Sequence, residues 1–293
     1  MSSGRARLHD LEAAEQFWDH ALRRLESYIA ATAPVLSGFS SPQQRSASTM
    51  HKVVSREEWL AARKAFLAKE KEFTRLRDQL SAERRDLPWV KLDKQYRFVA
   101  PDGERTLGDL FEGKSQLIIY HFMFGPTWEQ GCPSCSLWAD GFDGIIVHLN
   151  NRDVAMAAVA RAPLERLQSF RARMGWKFTL VSSLESDFNQ DFRVSFTPQQ
   201  LAEGTFDYNY GLNNYGEEAP GISVFRRDVG GHIYHTYSCY GRGLDMLNPA
   251  YHYLDLVPKG RDEGGFDYTM AWVRHHDRYG MQSDDLRRNS VAS

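Results

Sequence analysis

The sequence predicts an α/β protein in which helices cover both faces of a mixed β-sheet. Residues 117–124 form a short apolar run rich in branched and aromatic side chains, which is typical of a buried strand. Strand patterns at residues 154–160 and 177–181 alternate with helical ones, and this alternation favours a sheet packed between helices. Later in the chain, a Gly-Gly turn separates residues 222–225 from residues 232–238, which predicts an antiparallel hairpin.

The totals are those of an ordinary globular chain. The 293 residues are 42% hydrophobic and 25% charged, and they suffice for a sizeable core. The net charge of −2 argues against a broadly basic nucleic-acid surface, so no nucleic-acid partner is predicted. The longest apolar run is far shorter than the roughly 20 residues of a membrane helix, so no membrane partner is predicted. The N-terminus has no apolar signal core after its arginines, which favours a cytoplasmic, reducing setting.

Four segments are predicted along the chain. Residues 1–50 comprise a helix and a Ser-rich linker, and residues 51–88 a long amphipathic helix. The layered α/β domain occupies residues 89–258. Residues 259–293 form a charged C-terminal segment with a frayed tail, and residues 274–278 within it are expected to be solvated.

The amphipathic helix begins at Ser55, where Ser55 and Glu58 form a capping-box pattern, and runs to about Arg85. Its apolar stripe consists of Trp59, Ala62, Phe66, Phe73, Leu76 and Leu80. The simpler interpretation packs this stripe on the protein's own domain. The alternative is a homodimer through the 55–85 helix.

A cysteine pair follows the strand at residues 117–124. Cys132 and Cys135 lie on a turn that should open a helix, and their spacing places both sulfurs in the first helical turn. Pro133 fits the first helical position, because the N–H that it lacks is not needed there. Positive partial charge at the helix N-terminus favours thiolate, the attacking species in disulfide exchange. The pattern therefore predicts a redox-active dithiol that needs no further cofactor.

Two other interpretations of the cysteine pair stay open. The pair can be half of a metal site, completed by Cys239 or His235, because zinc sites combine such ligands. The two thiols can also be inert residues of a helix or a vestige. In either case the protein would be a non-catalytic binding module.

Several runs resemble one bacterial family, described as domain of unknown function 899 and as predicted dithiol-disulfide oxidoreductases. These runs lie at residues 51–59, 121–125, 131–136, 173–176, 186–189 and 258–263. The resemblance covers about residues 51–279. It implies a thioredoxin-like three-layer α/β/α sandwich with a mixed sheet, here preceded by an N-terminal helical extension.

The resemblance also implies roles for single residues. Cys132 corresponds to the nucleophile of a thioredoxin dithiol and Cys135 to the resolving cysteine. Pro220 corresponds to a proline with a cis bond, beside which a substrate can pair. Trp128 and Pro133 are the other candidates for positioning a substrate. The implied partner is a disulfide-containing protein or a small thiol compound.

The chain departs from the thioredoxin pattern near the first cysteine. Gly131 stands where thioredoxins carry Trp, and residues 117–124 contain no acid. Glu129 is the nearest candidate proton acceptor. His121 is a second candidate, although a packed core histidine is the simpler interpretation. Neither cysteine is preceded by the Thr and Pro of a peroxiredoxin site, which argues against a peroxidase of that type.

The stretch at residues 198–219 has no clear period and is predicted to be a long loop. If this loop or a helix covers the cysteines, the substrate is small rather than a protein.

Overall fold

The computed structural model describes residues 51–204, 206–213 and 215–280. The described residues belong to two units that divide between Phe66 and Leu67. The helix and linker predicted for residues 1–50 lie outside the described residues, as does the end of the predicted tail. No helix in the described ranges combines the length and the apolar character that crossing a membrane requires.

The structure has these elements in its described part. The helices are α1 (Arg56–Arg85), α2 (Pro133–Ala139), α3 (Phe142–Asn151), α4 (Leu164–Arg173), α5 (Phe188–Asp191), α6 (Pro198–Glu203) and α7 (Pro249–Leu254). The strands are β1 (Val90–Lys91), β2 (Arg97–Ala100), β3 (Gly103–Thr106), β4 (Gln116–His121), β5 (Val154–Ala160), β6 (Thr179–Ser182), β7 (Phe206–Tyr208), β8 (Gly211–Asn213), β9 (Gly221–Arg227) and β10 (Ile233–Tyr240). Short 3₁₀ turns lie at Asp109–Phe111, Gly241–Leu247 and His276–Arg278.

Eight strands form one mixed sheet in the order β1-β10-β9-β4-β5-β6-β2-β3. Strands β4, β5 and β6 are parallel, β9 is antiparallel to β4, and β10 is antiparallel to β9. The chain thus passes from β4 through helices to β5, and later through the β9–β10 hairpin to α7. This is the β-α-β and β-β-α arrangement of the thioredoxin fold, so the predicted fold is confirmed.

The side chains of β4 alternate between the two faces of the sheet. Leu117 and Ile119 pack on one face, in a cluster with residues of the first 3₁₀ turn and of α5. Ile118 and Tyr120 face the opposite side, in a cluster with residues of α2, α3 and α4. Both faces are therefore covered, and the loop after β4 emerges at the edge where α2 begins.

Helix α1 begins as predicted. The Ser55 N–H donates to Glu58 Oε2 at 2.9 Å, and the Glu58 N–H donates to Ser55 Oγ at 3.2 Å. No residue of α1 is buried, and Phe73 is 66% exposed. The prediction that this stripe packs on its own domain is wrong for Phe73, Leu76 and Leu80, which are exposed within the second unit. Trp59, Phe66, Phe73 and Leu80 are seven positions apart, and this spacing gives a narrow apolar seam suited to another helix. The homodimer through α1 stays a prediction.

The stretch at residues 198–219 contains more structure than predicted. Helix α6 begins at a capping box between Thr197 and Gln200, and β7 and β8 form a hairpin in which Phe206 and Tyr208 are buried. The prediction of a long loop is wrong there, because elements this short are too brief to show a period.

Candidate active site

Cys132 is the N-cap of α2, and Cys135 lies in the first turn of that helix. The cysteine loop is the segment between β4 and α2, residues 122–132. Within it the Cys132 N–H donates to the Met123 carbonyl at 2.9 Å, which ties the end of the loop to the chain leaving β4. The Ser136 hydroxyl donates to the Cys132 carbonyl at 2.9 Å. Both cysteines are free thiols; Cys132 is half-buried and Cys135 is 2% exposed. One sulfur is thus accessible, and the other lies beneath it.

The two thiols differ in acidity. The pKa of Cys132 is lowered to about 7, chiefly because the Cys135 thiol donates a hydrogen bond to its sulfur. The N–H groups of Cys135 and Ser134 add to this effect, which outweighs burial. Burial raises the pKa of Cys135 well above its ordinary value, and the neighbouring Cys132 raises it further. Cys132 is therefore the more acidic of the two thiols, and Cys135 stays protonated at neutral pH.

The glycine before Cys132 is required by close packing. A Cβ on Gly131 would lie 2.4 Å from Cε1 of Phe122 and 3.0 Å from Cε1 of Phe170. These two rings pack edge to face with Trp176 in the core and have little room to move. The Trp that thioredoxins carry here would therefore not fit in this chain.

The C-terminal segment holds the cysteine loop in place. His275 is 4% exposed, and its Nε2–H donates to the Gly131 carbonyl at 2.8 Å. Its Nδ1 accepts from Arg173 Nη2 at 3.2 Å, while Arg173 also forms an ion pair with Asp277 at 2.8 Å. The prediction that residues 274–278 are solvated is wrong for His275. The sequence could not reveal these contacts of His275, because Arg173 and Gly131 lie a hundred residues or more away along the chain.

Two cavities meet at Cys132. The larger has a volume of about 1000 Å³, and both cysteines line it. Residues of the C-terminal half, from Gly241 to Arg274, form much of its wall. The smaller has a volume of about 490 Å³ and extends from the other side of Cys132 toward Trp128 and Arg278. The dithiol therefore lies in a concave site of the size that small ligands occupy.

Tyr120 is a site residue that sequence reasoning missed. It is fully buried on β4 and lines the larger cavity. Its hydroxyl has no hydrogen-bond partner among the described residues, and it lies near the Cys135 thiol. Burial, and then the adjacent Cys135, raise the pKa of Tyr120 well above its ordinary value. The available signal was the alternation of β4, which points the Tyr120 side chain toward α2.

The candidate positioning residues lie around the cysteines. Pro133 lines both cavities, Pro220 lines the larger one and Trp128 the smaller. The indole N–H of Trp128 donates to the Glu217 carboxylate.

The predicted cis bond is wrong: no peptide bond among the described residues is cis, and Ala219–Pro220 is trans. The trans form is the intrinsically favoured isomer. Here the Pro220 carbonyl accepts a hydrogen bond from the Tyr208 hydroxyl at 2.8 Å. The main-chain carbonyl of Pro220 is therefore already hydrogen-bonded within the protein.

The two candidate proton acceptors are not brought to the dithiol. Glu129 is exposed and lines neither cavity. His121 is buried on the face of the sheet opposite to α2, stacked on Phe188 and hydrogen-bonded to Ser223 Oγ at 2.8 Å. Burial lowers the pKa of His121 to about 3, so it is a neutral core residue.

The residues of the metal alternative are also separate from the dithiol. Cys239 and His235 line neither cavity, and His235 Nε2 pairs with Ser238 Oγ at 2.7 Å. Within the described ranges, no three His, Cys, Asp or Glu side chains are grouped as metal ligands.

Some solved structures are similar to this chain at low identity. Peroxidoxin BcpB from Mycobacterium tuberculosis is 12% identical, with a TM-score of 0.36, and covers 55% of this chain and 92% of its own. Peroxiredoxin Q from Xanthomonas campestris is 14% identical, with a TM-score of 0.38 and coverages of 58% and 94%. A putative thiol:disulfide interchange protein DsbE from Chlorobium tepidum is 13% identical, with a TM-score of 0.33 and coverages of 56% and 97%. Likenesses this distant carry no conclusion about activity.

No curated protein matches the sequence. A family model does match it over residues 48–279, which include the cysteine loop, the whole sheet and the segment that holds Gly131. The chain therefore belongs to the DUF899 family, bacterial proteins of unknown function.

Proposed function

We propose that this protein is a thiol-disulfide oxidoreductase in which Cys132 is the nucleophile and Cys135 the resolving cysteine. The observation that carries the proposal is the contrast between the two thiols. Cys132 lines both cavities with its pKa lowered to about 7, whereas Cys135 lies beneath it with its pKa raised. A nucleophile must be accessible and ionised, and a resolving thiol must be protected until it is needed.

In the first step the Cys132 thiolate attacks one sulfur of a substrate disulfide. The substrate S–S bond breaks, a mixed disulfide with Cys132 forms, and the other sulfur leaves as a thiolate that takes a proton from water. In the second step Cys135 loses its proton to water and attacks the Cys132 sulfur, which releases the remaining substrate thiolate. The protein dithiol is oxidised by two electrons to a disulfide, and the substrate disulfide is reduced to two thiols. A thiol reductant then restores the dithiol.

Tyr120 is the positioning residue for the second step in this proposal. Cys135 must become a thiolate in a buried environment, where charge is costly. The nearby Tyr120 hydroxyl lowers the pKa of Cys135, against the larger effect of burial, and can donate to the thiolate when it forms. Residues 117–124 contain no acid, and Tyr120 is the buried polar side chain of this strand that lies beside the resolving cysteine.

Alkylation of Cys132 tests the assignment of the nucleophile. The rate with iodoacetamide should rise with pH through a midpoint near 7, because the thiolate reacts and the pKa of Cys132 is about 7. An unperturbed thiol has its midpoint at about 8.5. Mass spectrometry of the Cys132 peptide gives the rate. Cys135→Ala removes the main hydrogen-bond donor and should shift the midpoint upward. A midpoint of an ordinary thiol in the wild-type protein would contradict the assignment.

Tyr120→Phe is expected to slow the second step about tenfold and leave the first step unchanged, because a charge-assisted hydrogen bond to the Cys135 thiolate is lost. Rapid quenching followed by mass spectrometry measures the lifetime of the mixed disulfide. Tyr253→Phe is the matched control, since Tyr253 is 72% exposed and lines neither cavity. An unchanged lifetime in Tyr120→Phe would mean that this residue only fills space.

A further inference from the structure

Cys132, Pro133 and Arg274 line both cavities, so the nucleophile lies where the two cavities meet. A disulfide is a molecule with two arms joined at the reacting sulfurs. A nucleophile placed between two cavities can therefore meet the S–S bond while one arm lies on each side. The chemistry of each cavity then indicates what each arm carries.

The larger cavity has a largely aromatic wall. Apart from Arg274, which it shares with the smaller cavity, its charged side chains are paired or hydrogen-bonded within the protein. Its wall includes Tyr120, Trp138, Tyr215, Tyr251, Tyr268 and Met270. Arg261 pairs with Asp245 at 2.9 Å and Asp255 at 2.8 Å. Glu263 Oε1 accepts from the Tyr251 hydroxyl at 2.8 Å and from the Trp272 indole N–H at 2.7 Å. An aromatic wall whose charges are paired, apart from the shared Arg274, suits an apolar or aromatic arm.

The smaller cavity carries unbalanced positive charge. Two arginines, Arg274 and Arg278, line it, and no acidic side chain does. The Arg274 Nη1 group donates to the carbonyls of Ala271 at 2.8 Å and Val273 at 2.9 Å, which leaves its charge uncompensated. Neither guanidinium forms an ion pair with any described residue, and the nearby Asp277 is paired with Arg173. This cavity suits an anionic arm, for which arginine is well adapted.

We infer that the dithiol acts on a small mixed disulfide in which one arm is apolar or aromatic and the other carries a carboxylate. The inference rests on the proposed function and adds its substrate class. The apolar arm occupies the larger cavity, and the carboxylate lies at Arg274 and Arg278. Attack of Cys132 on the S–S bond between them releases one arm as a thiolate, and Cys135 releases the other.

Charge-swapped probes test the anionic arm. One probe is the mixed disulfide of benzyl mercaptan with mercaptopropionate, and the other is that of benzyl mercaptan with cysteamine. The full-length protein in its reduced state should react faster with the anionic probe. Arg274→Gln combined with Arg278→Gln should lower the anion-to-cation rate ratio about tenfold, and added salt should also lower it. Arg75→Gln removes the same charge from the exposed surface of α1 and should leave the ratio unchanged.

A third probe, in which methyl replaces benzyl, tests the apolar arm. The wild-type protein should prefer the benzyl probe, and Tyr268→Ala should reduce that preference severalfold, since Tyr268 lines the larger cavity and not the smaller one. Unchanged ratios in the arginine and tyrosine variants, or faster reduction of insulin than of every small probe, would overturn the inference and leave the proposed function intact. A wild-type protein that exchanges with no disulfide would overturn both.

Discussion

Cys132→Ser is expected to abolish disulfide exchange, with a loss of at least about a thousandfold, because a serine hydroxyl is not ionised at neutral pH and cannot form the mixed disulfide. The substitution is nearly isosteric at a half-buried position, so the fold should persist. The measurement is the rate of thiol release from a small disulfide, with circular dichroism as a check of folding.

The two other cysteines provide matched comparisons. Cys135→Ser should carry out the first step and then accumulate the mixed disulfide on Cys132, since no resolving thiol remains. Cys239→Ser should exchange within about twofold of the wild-type rate, because Cys239 lines neither cavity. If exchange survived in Cys132→Ser and disappeared in Cys239→Ser, the nucleophile would be Cys239, and the assignment to Cys132 would be wrong.

Gly131→Ala is expected to destabilise the protein by about 1–3 kcal/mol and to slow exchange about tenfold. The added methyl would lie 2.4 Å from Phe122, whose ring is fixed in the core, so the main chain before Cys132 must shift. That shift would also weaken the bond from His275 to the Gly131 carbonyl, which is 2.8 Å long in the native state. Urea unfolding and the rate of thiol release measure the two effects.

Gly144→Ala is the matched control for this substitution. Gly144 lies within α3, and a Cβ there would meet no atom within 4 Å. The change should therefore stabilise the protein by about 0.5–1 kcal/mol, since alanine loses less backbone entropy in a helix. If Gly131→Ala were as well tolerated as Gly144→Ala, the packing account of the cysteine loop would be wrong.

The local patterns of the sequence predict the centre of the fold well. The run at residues 154–160 coincides with β5, Val154–Ala160, and the predicted hairpin corresponds to β9 and β10. Cys132 and Cys135 lie at the start of a helix, as their spacing and Pro133 predict. These features depend on side-chain period, turn residues and helix-start signals, all of which act over a few neighbouring residues.

The parts that sequence did not reveal depend on contacts between distant residues. Tyr120 is a site residue because the fold places Cys135 over its hydroxyl, and His275 because it reaches Gly131. The trans bond at Pro220 and the separation of Glu129 from the cavities likewise follow from tertiary structure. No spacing rule within one segment encodes such pairs.

The most direct test of the central claim is a titration of the Cys132–Cys135 pair across glutathione redox buffers. The thiols are trapped by alkylation, and mass spectrometry counts them at each potential. We predict a reversible two-electron transition in which both cysteines change together and Cys239 does not. Two thiols that stay reduced across the whole range, or that oxidise independently of each other, would contradict the proposed oxidoreductase.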